Sequence, residues 1–182
     1  IGDPAPGRAS IPAMLQREFV SLDSPTARQN PAGFHPCQGL LHTDPSAGPT
    51  GPAGLGHIAA TAIIATHYNV DFSEHYLGPL MAARGVDFLG WNTRYRGNEP
   101  FFILEQALVD IGVGVRFLRD RGYERIVLLG NSGGGSLMGA YQSQATDPSI
   151  TPTRGMRLPD EVLDLIPADL YVSLNAHAGR PE

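Results

Sequence analysis

There is no lysine in this sequence; all 13 basic residues are arginine. The absence bears on its most conspicuous turn, Gly130-Asn131-Ser132-Gly133-Gly134-Gly135. A phosphate-binding P-loop requires Gly-x-x-x-x-Gly-Lys-Ser/Thr, and here Ser136 stands where the lysine would. The dinucleotide pattern Gly-x-Gly-x-x-Gly fails too: counted from Gly133, Gly135 fits, but Met138 holds the third glycine position. Cysteine is almost absent. With Cys37 alone, an internal disulfide is impossible. No apolar run reaches the roughly 18 residues of a membrane span, and no signal peptide is visible, so a cytoplasmic protein is expected. The formal charge of -5 argues against a nucleic-acid surface. The chain begins with Ile1 rather than Met, which suggests numbering that starts inside a longer precursor.

What is present suits one domain: 182 residues, 42% of them hydrophobic, with 22 Gly and 16 Pro marking many loops. Ile126 to Leu129 form a short apolar run, the pattern of a strand buried on both faces. Gly130 to Gly134 then match Gly-x-Ser-x-Gly, and Ser136 to Tyr141 can open a helix. Strand, sharp turn and helix are the context a nucleophile elbow needs. Such a turn lifts the Ser132 hydroxyl above the sheet. It demands small residues two positions before and after, which Gly130 and Gly134 supply. It also turns the Gly133 N–H toward a developing oxyanion.

The remaining chain reads as alternating strands and helices. Residues 1 to 14 are a Pro/Gly/Ala-rich arm. Strands are expected at Gln16 to Ser21, Leu40 to His42, His57 to His67, Val86 to Trp91 and Ala168 to Leu174. Helices are expected from Tyr76 to Arg84, with Ser73 as N-cap, and from Phe101 to Arg119, closed by Gly122. The class is therefore α/β, a mostly parallel twisted sheet with helices on both faces. His35, Cys37 and His42 lie close in sequence, but they lack a fourth ligand and zinc-type spacing, so no metal site is expected.

Three stretches carry a family resemblance. GNSGG (Gly130 to Gly134) is the elbow. THYN (Thr66 to Asn69), ending a strand before a helix, resembles the His-Gly-x turn that supplies a second oxyanion donor. GWNTRYRGN, after the next strand, resembles the polar loop usually found there. From Gln16 to Gly179 the chain resembles the front two-thirds of an α/β-hydrolase. Tyr68 replaces the usual glycine and narrows the pocket.

The resemblance implies Ser132 as nucleophile and the Gly133 and Asn69 amides as the oxyanion hole. Tyr68, His67, His177 and Asn131 would line the pocket, with the His67 ring bracing the oxyanion turn. Aromatic Phe72, Trp91 and Tyr95 stand where they can join Tyr68 at the mouth, although core packing is the commoner fate of such aromatics. The family's triad acid and histidine follow the serine in the chain. Only His177 is a histidine there, and Asn175 holds a position where an acid could stand. Asp147, Asp160, Glu161, Asp164 and Asp169 read as solvated surface. The last strands, the acid and the base are therefore expected beyond residue 182 or on a second chain.

The resulting expectation is a serine hydrolase acting on a small-molecule carboxylic ester, thioester or amide, with no cofactor. The alternatives are an acyltransferase on the same site and an inactive hydrolase fold used as a binding module.

Overall fold

The computed structural model of the protein describes residues 15–27, 35–46 and 60–177. The arm expected over residues 1–14, and the start of the strand expected at His57, lie outside the described residues. Six strands form one sheet: β1 (Gln16–Leu22), β2 (Cys37–Thr43), β3 (Thr61–Ala65), β4 (Asp87–Asn92), β5 (Arg125–Asn131) and β6 (Leu170–Leu174). Their order is β1-β2-β4-β3-β5-β6. β1, β2 and β4 pair antiparallel, while β4, β3, β5 and β6 run parallel. Three helices connect the parallel strands: α1 (Leu77–Ala82), α2 (Leu104–Asp120) and α3 (Gly134–Thr146).

The strand pleat sorts the apolar residues onto two faces. Ile64, Leu89, Ile126 and Leu128 point toward α2 and α3, where they meet Leu108, Ile111, Val115, Leu137 and Met138. Ile63, Phe88 and Leu129 point the other way, onto Leu77 and Met81 of α1. Burial on both sides is why β3 and β5 read as continuous apolar runs rather than alternating ones. β6 forms one edge of the sheet and leaves Leu170 and Val172 exposed.

Strand limits shift by one to a few residues from the sequence reading, and two helix starts differ for a physical reason. α1 starts at Leu77 with Tyr76 at its N-cap position and no side-chain cap. Ser73 does not cap it because its groups are spent elsewhere. Its hydroxyl accepts from Asn92 Nδ2 at 2.8 Å, and its carbonyl accepts from His42 Nε2 at 2.8 Å. α2 starts at Leu104 rather than Phe101, because Pro100 and Phe101 belong to a 3-10 turn, Glu99–Phe101.

The loop after β4 is anchored by a buried ion pair. Arg94 donates to Asp110 through Nε at 2.8 Å and through a terminal nitrogen at 2.5 Å, and both side chains are fully buried. The guanidinium also donates to the Thr26 carbonyl and the Ser24 hydroxyl. A buried pair of charges is tolerated only with its hydrogen-bonding capacity filled, as here. The network ties residues 24–26 to α2.

Candidate active site

β5 ends at Asn131 and α3 begins at Gly134, so the chain reverses over Ser132 and Gly133. Ser132 takes up the reversal with φ 54°, in the left-handed region that a non-glycine residue seldom occupies. Such a conformation costs on the order of 1–3 kcal/mol and persists only where the surroundings impose it. Here the Ser132 carbonyl accepts the N–H of Gly135 at 3.0 Å and that of His177 at 2.8 Å. The glycines around it are sterically required. A Cβ on Gly134 would lie 2.1 Å from the Thr66 carbonyl oxygen, and one on Gly130 would lie 2.8 Å from the Gly135 Cα. The Ser132 residue itself is half-buried.

β3 delivers the second turn to the same end of the sheet. His67, 7% exposed, accepts at Nδ1 from the main-chain N–H groups of Asn69 and Val70, each at 3.2 Å. Tyr68 stacks on the His67 ring at 4.5 Å. Both side chains lean over Gly133: a Cβ there would stand 2.1 Å from Tyr68 Cε1 and 2.7 Å from His67 Nε2. Burial pushes the His67 pKa below the ordinary imidazole value. An interaction with the Asn69 side chain opposes that shift, and the charge of His177 adds to it. The Asn69 amide, expected to face the reacting carbonyl, thus donates within the turn to His67.

Asn131 is held on both sides. Its Nδ2 donates to the Leu174 carbonyl at 2.8 Å, and its Oδ1 faces His75 Nε2 at 3.2 Å. His75 Nδ1 accepts the Leu77 N–H at 3.3 Å, which leaves the proton on Nε2 to donate to Asn131. The His75 ring stacks on Phe88, and burial lowers its pKa, with the Asn131 contact opposing. His75 played no part in the sequence expectations: a lone histidine between a strand and a short helix carries no spacing signal.

The structure brings Ser132, Gly133, His67, Tyr68, Asn69, Asn131 and His177 together at the carboxyl ends of β3, β5 and β6. It does not bring Phe72, Trp91 or Tyr95 to the mouth. They are 6%, 0% and 0% exposed, with Trp91 Nε1 donating to the Asp110 carbonyl and the Tyr95 hydroxyl donating to Gln106. Asp169, expected as solvated surface, accepts from Arg119 and from the Ile126 N–H, bridging α2 and β5.

A cavity of about 390 Å³ opens beside Gly133, lined by Tyr68, Asn69, Phe102, Leu104, Leu137 and Ala140. A shallower opening on the other side of Ser136 is lined by Tyr171, Ser173, Ala176 and His177. A further cavity, about 510 Å³, lies between α2, residues 22–25 and residues 161–166 and includes no residue of the Ser132 turn.

Solved structures share this arrangement of strands. One is brefeldin A esterase, a bacterial homologue of human hormone sensitive lipase. It has a TM-score of 0.56 and 14% identity, covering 90% of this chain and 41% of that one. The fold is that of the α/β-hydrolases. A bacterial heroin esterase gives a TM-score of 0.52 at 14% identity, covering 79% of this chain and 43% of that one. Oligopeptidase B from Trypanosoma brucei, with covalently bound antipain, gives 0.55 at 13% identity, covering 88% and 20%. The chain thus spans about two-fifths of the length of the two esterases. No family model and no curated protein matches the sequence. Among the described residues, no helix is long and apolar enough to cross a membrane.

Proposed function

We propose that this protein is a serine hydrolase that cleaves a carboxylic ester, or a thioester or amide, through an acyl-enzyme on Ser132. One observation carries the reading. A serine with φ 54° is half-exposed at the junction of β5 and α3, directly beside the turn that ends β3. Strain of this kind, held by two hydrogen bonds to one carbonyl, suits a nucleophile that must project from the sheet.

In the proposed reaction Ser132 Oγ adds to the substrate carbonyl while its proton leaves to a general base. The carbonyl electron pair moves onto oxygen, which the Gly133 amide and the Asn69 turn stabilise. Collapse of the tetrahedral adduct expels the alcohol with a proton returned from the base. Water then repeats the sequence and frees the acid. The cavity beside Gly133 takes the apolar part of the substrate; its volume of about 390 Å³ falls in the usual range for small-molecule sites. The names of the structural neighbours, two esterases and an oligopeptidase, favour acyl transfer to water over other chemistry on this fold.

A fluorophosphonate probe applied to the intact protein tests the proposal. Labelling of the parent and none of Ser132→Ala supports it. Absence of labelling in the folded parent overturns it and leaves a binding module. Product analysis with an added alcohol separates hydrolysis from acyl transfer.

A further inference from the structure

The Asn69 N–H donates to His67 Nδ1, and the Val70 N–H donates to the same nitrogen. A nitrogen that accepts two hydrogen bonds carries no proton, so the neutral ring bears its proton on Nε2. That atom stands over Gly133, 2.7 Å from where a Cβ would be. The ring cannot turn away easily. Tyr68 stacks on it, Phe72 packs against it at 5.3 Å between centroids, and the two amides fix its edge.

Resting on the assignment of Ser132 as nucleophile, we propose that His67 Nε2–H is itself an oxyanion donor, a catalytic residue that touches the substrate oxygen. The Asn69 amide then acts through His67 rather than on the substrate. When Ser132 Oγ bonds to the carbonyl carbon, the π electron pair passes to oxygen and the hydroxyl proton passes to the general base. His67 transfers no proton; its Nε2–H only shortens its hydrogen bond to the charged oxygen. A neutral imidazole is suited to this. Protonation would place an N–H on Nδ1 against two amide N–H groups, and burial already disfavours the charged form. A donor held in place before reaction costs no reorganisation as charge develops.

Two substitutions separate a donor from a brace. His67→Asn places a carboxamide oxygen where Nδ1 was, so it keeps the acceptor for Asn69 and Val70 but removes the distal N–H. His67→Gln places a carboxamide N–H near the Nε2 position and gives up the acceptor. The readout is the second-order rate of fluorophosphonate labelling on the intact protein, since the phosphonyl oxygen occupies the oxyanion position. The donor role gives about a hundredfold or greater loss in His67→Asn and partial recovery in His67→Gln. A purely structural role gives the reverse order. Parental labelling by His67→Asn overturns the proposal while leaving Ser132 as nucleophile; no labelling of the folded parent removes both.

Should His67→Asn fail to fold, the parent protein still decides. With 15N-labelled histidine, the His67 Nε2 proton is expected to move downfield on phosphonate addition, with Nδ1 still unprotonated. No change at Nε2 in the adduct overturns the proposal.

Discussion

The main-chain N–H of His177 donates to the carbonyl of Ser132 at 2.8 Å, joining the end of β6 to the turn after β5. The strained residue is therefore held by a segment 45 positions further along the chain (177 − 132), not by its own turn alone. His177→Pro removes that donor and keeps the fold of β6 upstream. A loss of about 1–2 kcal/mol in stability is expected, together with a marked drop in labelling of Ser132. His177→Ala keeps the N–H and should show neither effect if the main-chain bond is what matters. Denaturant titration and probe labelling of the two variants check this.

Two glycines of the same segment should respond to alanine with opposite sign. At Gly134 a Cβ would sit 2.1 Å from a main-chain oxygen of Thr66, which cannot step aside without moving the β3 turn. Gly134→Ala is expected to destabilise by about 3 kcal/mol, the upper end for overpacking, and to abolish labelling. At Gly139, in the interior of α3, the nearest atom to a Cβ is Tyr171 Oη at 3.8 Å, an ordinary contact. Gly139→Ala is expected to stabilise by up to about 1 kcal/mol through helix propensity. Equilibrium unfolding in urea gives both values.

Removing one partner of the Arg94–Asp110 pair leaves a charge buried with nothing to balance it. Asp110→Asn keeps the shape but strands the guanidinium among Thr26, Ser24 and Gln106. A loss of about 3–5 kcal/mol is expected. Replacing both partners by apolar residues of similar size should cost less than either single change, a result that a double-mutant cycle reads directly.

Much of this architecture was legible because it follows from local chemistry. The Ile126 to Leu129 run, the glycine spacing around Ser132 and the apolar positions of α2 each act through near neighbours, and each appears where the pattern put it. Ser73 departs from its expected N-cap role because its hydroxyl and carbonyl answer to Asn92 and His42, 19 and 31 residues away. Whether Trp91 and Tyr95 face the mouth or the core stays open in the sequence for a related reason. Periodicity marks an aromatic as facing the core or the mouth only once the fate of the following loop is known. Here that loop is drawn inward by Arg94. His75 and Asn131 meet across 56 positions, a distance over which spacing carries no information.

Two of the histidines at the site, His67 and His75, should set an acid limit on stability. Burial lowers the pKa of both His67 and His75 from the ordinary value of 6.5. A histidine with a depressed folded pKa binds fewer protons folded than unfolded once the pH falls below its unfolded value. Its contribution is therefore intact above about 6.5 and is lost progressively as the pH drops through the folded value. Unfolding free energy measured from pH 8 downward is expected to stay level to about 6.5 and then fall, before any carboxylate titrates. Asn131→Asp should alter this limb in a defined way. A carboxylate facing His75 Nε2 favours the charged ring, while its second oxygen meets the Leu174 carbonyl that Asn131 Nδ2 formerly satisfied. The variant is thus expected to be less stable than the parent at pH 8 by about 1–3 kcal/mol, with the gap narrowing as His75 protonates. A gap that is constant between pH 8 and pH 5 would show that His75 and residue 131 do not share a proton-dependent contact.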